Sequence, residues 1–302
     1  MNLPNLKHLQ YLLALHQHQN FNRAAAACYV SQSTLSSAIL KLEEQLNCQL
    51  IERDHKAFIF TVQGLAIVKM ARELLVSANE LVTYAHQQGD PNGGTVRIGC
   101  IHTIAPYLLA DFVHLCQQNI PELSLYLIEN STENLMLMLA NGEIDLIVLA
   151  LPLPLPLKTA SHNFKSKIIG QDPFYLAGNK KLVDYYTQNK DYKGLPEQSV
   201  FLLSDEHCLT DHAVSACHFT DKSRINHFLA SSISTLIQMT SYYKGITFLP
   251  SMAVKKGVGV SENLTISKLD KSMYRNIGIV WRETTVRQQL FLKLADLIAD
   301  LL

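Results

Sequence analysis

Cys208 and Cys217, nine residues apart, stand in a stretch where thiols, imidazoles and carboxylates crowd together. The run is Phe201-Leu202-Leu203-Ser204-Asp205-Glu206-His207-Cys208-Leu209-Thr210-Asp211-His212-Ala213, and His218 directly follows Cys217. A thiolate is both a nucleophile and a metal ligand, so three readings are open. These are reactive thiols, a cation site shared with the histidines, or buried thiols that only fill space. A reactive thiol needs hydrogen-bond donors and positive charge nearby, and the N-terminus of a helix supplies part of that field. Hydrogen-bonding histidines are commoner than ligands, and no Cys-x-x-Cys spacing occurs, so neither a metal nor another cofactor is expected. Cys28, Cys48, Cys100 and Cys116 fall on helical or strand patterns and read as packing residues.

A second cluster suits hydrogen bonding rather than covalent chemistry. In Val30-Ser31-Gln32-Ser33-Thr34-Leu35, Ser31 fits the N-cap of a helix whose apolar face is Leu35, Ile39, Leu42 and Leu46. Upstream, Leu6, Leu9, Leu12, Leu13 and Leu15 give one helix. Asn22 to Cys28 gives another, with Asn22 as cap and Ala24 to Ala27 allowing close approach. Two short helices joined tightly, the second opening with small polar residues, make a helix-turn-helix. Leu50 to Thr61 places apolar flanks around a polar tip, as in a small hairpin or wing. Thr61 then fits the cap of a long helix with a seam at Leu65, Val68, Ala71, Leu75, Ala78, Val82 and Ala85. The breaker-rich run Gly89 to Gly94 ends it. A narrow seam followed by a hinge predicts a dimerising linker.

From Thr95 the period changes. Val96–Ile101, Leu123–Leu127 and Ile144–Ala150 read as strands, alternating with helices at Tyr107–Asn119 and Asn134–Ala140. That alternation predicts a parallel α/β sheet. Later strands fit Phe174–Ala177, Ser199–Leu203, Gly245–Leu249 and Ile277–Trp281, and Val286–Leu302 fits a final helix. The Leu-Pro alternation from Leu151 to Leu157 reads as an extended crossover between two lobes.

The whole chain of 302 residues exceeds one ordinary core and carries a formal net charge of zero. No apolar run is long enough to span a bilayer, so no membrane partner is expected. The start MNLPNLKHLQYLL lacks the pattern of a secretory leader, which predicts a cytoplasmic protein and excludes a periplasmic binding protein. Neutrality at first speaks against nucleic acid. Counted locally, Lys7, Arg23, Lys41, Arg53 and Lys56 against Glu43, Glu44, Glu52 and Asp54 leave the helix-turn-helix region at +1. Affinity for phosphate is then modest per subunit, and several subunits must act together.

Phe21-Asn22-Arg23-Ala24-Ala25, Val30 to Ser36, Lys41-Leu42-Glu43, Leu50 to Arg53 and Phe60 to Gly64 together resemble the winged helix-turn-helix of LysR-type transcriptional regulators. The resemblance implies a DNA-binding domain at 1–61, a linker and dimerisation helix with hinge at 62–92, and an effector domain at 93–302. That domain is expected to be α/β, two-lobed and like a periplasmic binding protein, with lobe I at 93–163 plus 270–302 and lobe II at 164–269. It implies a regulator rather than an enzyme, with double-stranded DNA as partner, a homodimer through the linker helix, a homotetramer, and RNA polymerase when activating. The DNA contacts implied are Arg23, Gln32, Ser33, Thr34, Ser36, Ser37, Lys41, Arg53 and Lys56. Gln32 in the first turn can pair with adenine, and Arg53 and Lys56 in the wing would reach phosphates. Ser33 stands where the family commonly has proline, and Leu40 where a basic residue is usual.

The Cys208 segment resembles the redox segment of the hydrogen-peroxide-sensing members of the same family. So do Thr103 in Ile101 to Leu109, Thr132 after Glu129-Asn130-Ser131, Gly245 to Pro250, and Arg275 before Ile277. By that resemblance Cys208 is the peroxide-reducing thiol and Cys217 its disulfide partner. Thr103, Thr132, His207, Asp211 and Arg275 bind peroxide or stabilise the thiolate, and glutaredoxin or thioredoxin reverses the reaction. Glu206 replaces a glycine and Thr210 a basic residue, so a higher thiolate pKa or a more crowded site is expected. If both cysteines lie on one helix, they are roughly 13 Å apart along its axis and about half a turn apart in azimuth. A disulfide needs Cα atoms about 4.4–6.8 Å apart, so the helix must then melt. The competing expectation is a LysR-type regulator that binds a small metabolite between its lobes near Thr103, Thr132 and Ser232, with inert cysteines. A peroxidase-like use of Cys208 is disfavoured by the DNA-binding pattern.

Overall fold

The computed structural model describes residues 3–53, 58–87, 93–153 and 163–302, in two units, Met1–Gly89 and Asp90–Leu302. In the first, α1 (Leu6–His18), α2 (Phe21–Ala27) and α3 (Gln32–Leu46) precede a hairpin of β1 (Ile51–Arg53) and β2 (Phe58–Phe60), and α4 (Val62–Gln87) follows. Leu9, Leu12, Leu15, Ala24, Leu35, Ile39 and Leu42 meet Leu50, Val68 and Ala71 in one core. Ser31 caps α3 by accepting the Thr34 amide at 3.1 Å, and Thr61 accepts the Gly64 amide at 2.8 Å at the start of α4. The cap of α2 is Asn20, not the expected Asn22, because α2 starts at Phe21 and the Arg23 amide reaches Asn20 Oδ1. Gly64 lies so close to the Leu50 carbonyl that a Cβ there would overlap it. The α4 seam is half used. Val68 and Ala71 are buried and Leu75 packs partly on the same core, whereas Leu65 and Val82 are exposed.

The second unit contains β3 (Gly94–Ile101), α5 (Ala105–Asn119), β4 (Leu123–Asn130), α6 (Thr132–Ala140), β5 (Leu146–Leu151) and β6 (Phe164–Gly178). After these come α7 (Lys180–Asn189), α8 (Cys208–Ala216), α9 (Ile233–Tyr242), β7 (Ile246–Pro250), α10 (Ser251–Lys255), β8 (Thr265–Lys268), β9 (Tyr274–Arg282) and α11 (Gln288–Ala299). The strand order is β4-β3-β5-β9-β6-β7, with β8 also on β6. Only β4, β3 and β5 are mutually parallel, and β9, β6, β7 and β8 add antiparallel pairings. The expected parallel sheet is therefore mixed. Ser199–Leu203 is not a strand. Its apolar run is buried, but it pairs only through single bridges from Val200 and Leu203.

Two hydrophobic cores form. One gathers β3, β4, β5, β9, α5, α6 and α11, and the other gathers the end of β6 with α7, α9 and β7. The expected crossover at Leu151 to Leu157 falls largely outside the described residues. No helix among the described residues is long and apolar enough to cross a membrane.

Candidate functional site

Cys208 is the first residue of α8 because the chain before it is pinned. The Phe201 amide donates to the Ile246 carbonyl, the Ser204 amide to the Ala230 carbonyl, and the Thr210 hydroxyl to the Leu203 carbonyl at 2.9 Å. His207 takes the extended N-cap conformation without capping by its side chain. Its Nε2 instead donates to the Ser231 carbonyl at 2.8 Å, and its ring meets His102 edge-on at 5.7 Å. Nine residues on, Cys217 is the C-cap of the same helix. Cys208 packs in the first core and Cys217 in the second.

Arg275 on β9, only 1% exposed, organises the Cys208 end. Its Nε donates to Asp172 Oδ2 at 3.0 Å, Nη1 to Thr103 Oγ1 at 2.9 Å, and Nη2 to the Thr103 carbonyl at 3.0 Å. Asp172 faces Arg275 in the β6–β9 register, and its other oxygen accepts the Met252 amide at the start of α10. Burial pushes the Cys208 thiol up. The Arg275 charge and the Thr132 hydroxyl pull it down, and the Asp211 carboxylate raises it. Asp211, expected among the thiolate-stabilising groups, therefore opposes the thiolate. The Thr132 hydroxyl is buried and makes no close hydrogen bond to oxygen or nitrogen, which leaves it free for the sulfur or a small polar ligand. His207 is bonded away to Ser231 rather than to the thiol. Glu206, expected either to raise the thiolate pKa or to crowd the site, is exposed.

The surroundings of Cys217 are aromatic. Tyr192 stacks on Tyr186 at 4.7 Å and meets Phe219 and Phe248 edge-on at 5.0 and 6.1 Å. Burial pushes the Cys217 thiol up to about 12, although the nearby Tyr192 hydroxyl lowers it. Burial likewise raises Cys116 to about 11 and Cys100 well above its usual range, as befits packing residues. Among the described residues no cluster could hold a metal ion. Asp172, Tyr186 and Tyr192 escaped the sequence reading. No local pattern marks them, since Asp172 meets Arg275 only through strand pairing.

In the first unit Gln32, Ser33, Thr34, Ser37 and Lys41 lie exposed along α3, Ser36 is half-buried, and Arg23 is exposed on α2. Ser31, Ser33 and Thr34 hydroxyls interlock at 2.9 and 2.7 Å, stiffening the first turn of α3. Arg53, expected to reach phosphate, is folded back. Its Nη1 donates to Ser36 Oγ at 3.2 Å, its guanidinium covers the Phe21 ring, and Glu43 lies 3.9 Å away. Lys56 lies outside the described residues.

Residues 6–65 match the description "Bacterial regulatory helix-turn-helix protein, lysR family", and residues 89–302 match "LysR substrate binding domain". The chain is 34% identical over 300 residues to the hydrogen peroxide-inducible genes activator of Escherichia coli, covering 97% of this chain and 94% of the relative. The reduced regulatory domain of OxyR2 from Vibrio vulnificus is 42% identical, with a TM-score of 0.64 over 70% of this chain and 96% of that one. A full-length OxyR variant from Pseudomonas aeruginosa is 29% identical, with a TM-score of 0.72 over 98% of both chains. The helix-turn-helix, long α4 and α/β domain match that full-length architecture. DNA binding follows from the first unit, and the second is a regulatory domain rather than an enzyme's. The chain belongs to the LysR family of bacterial transcriptional regulators, and its homologues include the OxyR peroxide sensors.

Proposed function

We propose that hydrogen peroxide switches this regulator by oxidising Cys208, which then forms a reversible disulfide with Cys217. The observation that carries the reading is the placement of the two thiols at opposite ends of α8, in different cores. Nine residues of helix hold them roughly 13 Å apart along the axis. A disulfide requires about 4.4–6.8 Å between Cα atoms, so the bond forms only as α8 unwinds. Closing so short a loop contributes about 2–3 kcal/mol, enough to bias a two-state segment. Thr103, Thr132 and Arg275 would hold peroxide and favour the thiolate, and His207 would fix the first turn through Ser231. The names of the OxyR relatives support the same reading.

The remaining roles follow from it. Residues 1–61 bind operator DNA through Arg23, Gln32, Ser33, Thr34, Ser36, Ser37 and Lys41, with Lys56 and with Arg53, which must leave Ser36 and Phe21 to reach phosphate. Residues 62–92 join a homodimer that assembles into a homotetramer, and residues 93–302 sense. The regulator acts in the cytoplasm, contacts RNA polymerase when activating, and is reset by glutaredoxin or thioredoxin. The test is peptide mapping after stoichiometric peroxide, with operator footprints in both redox states. A Cys208–Cys217 linkage and a changed footprint are expected, and absence of the linkage overturns the reading.

A second reading has one observation in its favour: both thiols are buried and both are pushed toward the protonated, unreactive form. On that reading a small metabolite binds near Thr103, Thr132 and Ser232. An unchanged footprint under peroxide, with no linkage, would favour it.

A further inference from the structure

We infer that His212 is the proton-transfer partner of Cys208, taking the thiol proton as sulfur attacks and returning it to the departing oxygen. The inference rests on the reading of Cys208 as the peroxide-reducing thiol, and it names a residue which that reading leaves without a task.

Cys208 opens α8 and His212 lies four residues on. Side chains at that spacing share a helix face, with Cβ atoms about 5–6 Å apart. Helical side chains also lean toward the N-terminus, which carries the imidazole back over the turn that holds Cys208. The two groups also share an electrostatic neighbour. The Arg275 guanidinium acts on the Cys208 thiol and on the His212 ring alike, lowering the pKa of each. Burial keeps the thiol protonated and the imidazole neutral. The resting pair is therefore a proton donor and a free base one helical turn apart, and proton transfer needs only that the imidazole swing to the thiol or reach it through one water.

The other groups around this face are accounted for. Asp211, the next residue back on α8, is exposed, and its carboxylate raises both pKa values. Arg275 from β9 is held by Asp172 from β6 and by Thr103 ahead of α5. Tyr107 on α5 feels the same guanidinium, but burial keeps its hydroxyl protonated. His207 adjoins Cys208 in sequence, yet its Nε2 proton is given to the Ser231 carbonyl and its ring is packed on His102.

The step balances. The thiol proton passes to the imidazole, and the sulfur electron pair attacks one peroxide oxygen. The O–O bond breaks, sulfur is oxidised to sulfenic acid, and peroxide is reduced. The departing oxygen takes the proton from the imidazolium and leaves as water, which regenerates neutral His212.

The experiment is the pH dependence of sulfenic acid formation at Cys208 in the full-length protein, trapped with dimedone, for the parent and for His212→Gln. Neutral imidazole persists below its ordinary pKa of about 6.5, so the parent rate should be nearly flat above that pH. His212→Gln should be about a hundredfold slower near pH 7 and climb about tenfold per pH unit as hydroxide takes over. Added imidazole should restore part of the rate in His212→Gly, which a merely structural residue would not permit. Equal rates and equal profiles in parent and His212→Gln overturn the inference, as does transfer of the whole effect to Asp211→Asn. Alkylation of Cys208 by iodoacetamide separates the two levels of claim. A parent that never reduces peroxide ends the sensor reading. The His212–Cys208 pairing itself then stands if His212→Gln slows alkylation and falls if it does not.

Discussion

At its N-terminal end α8 holds Cys208 against charge and hydroxyls, and at its C-terminal end it holds Cys217 against rings. Both thiols are buried, but the opposing forces differ. Around Cys208 the cost of burial is countered by Arg275 and Thr132, and the first turn of a helix adds its own partial positive charge. Around Cys217 only the Tyr192 hydroxyl counters burial, and the thiol sits at about 12. The contrast orders the chemistry. On the proposed mechanism, Cys208 would be the thiol that meets the oxidant, and Cys217 would be withheld until its helix opens.

The sharpest break in that contrast is removal of each sulfur. Cys208→Ser should lose every redox-dependent change in the operator footprint. Cys217→Ser should still be oxidised at Cys208 but respond more slowly and run on to sulfinic acid, read by intact mass. Parent-like behaviour in both variants would contradict the ordering. Next in size is Arg275→Gln, which strands the buried Asp172 carboxylate and should cost about 3–5 kcal/mol in urea unfolding. Iodoacetamide should also react more slowly with its Cys208, since the guanidinium no longer lowers that pKa. Adding Asp172→Asn should recover stability but not reactivity, and recovery of both would show that the charge is irrelevant to the thiol.

A pH series probes the other end. Cys217 is held protonated in the fold, moving from 9.0 to about 12, so above pH 9 the unfolded chain binds fewer protons than the folded one. The stability contribution of this thiol is whole below pH 9. Between about 9 and 12 it declines by roughly 1.4 kcal/mol per pH unit. Cys217→Ser should remove that increment of slope, measured by urea midpoints across the range, and an unchanged slope would mean that the thiol titrates freely. The smallest effect belongs to Tyr192→Phe. It keeps the ring stack, raises the Cys217 pKa further, and should shift stability by less than about 1.5 kcal/mol.

Much of this site was legible in sequence because its signals are local. Cys208 opens a helix and Cys217 closes it within one short polar-then-apolar run, and Ser31 announces α3 through its own cap. What stayed hidden depends on distant pairing. Asp172 is silent until β9 sets Arg275 opposite it. Only the end of β6 around Phe174–Ala177 was visible, because that run is buried, whereas Lys165, Lys167 and Gln171 interrupt the pattern earlier. Helix α7 was missed because Leu182, Val183 and Tyr186 are a thin apolar stripe in a polar segment. The Ser199–Leu203 run read as a strand because burial alone mimics one.

Strand β6 runs from one core of the second unit to the other. Phe164 to Pro173 pair with β9 apart from a bulge between Ile168 and Gly170, and Phe174 to Gly178 pair with β7 while Tyr175 to Gly178 also pair with β8, so one strand serves both cores. A strand resists stretching far more than it resists twisting, so on the proposed mechanism β6 would act as a torsion rod, with Asp172 bonded to Arg275 near its midpoint. Slack released in α8 would then be taken up as rotation of one core about that rod, turning a reaction at a single sulfur atom into an angle.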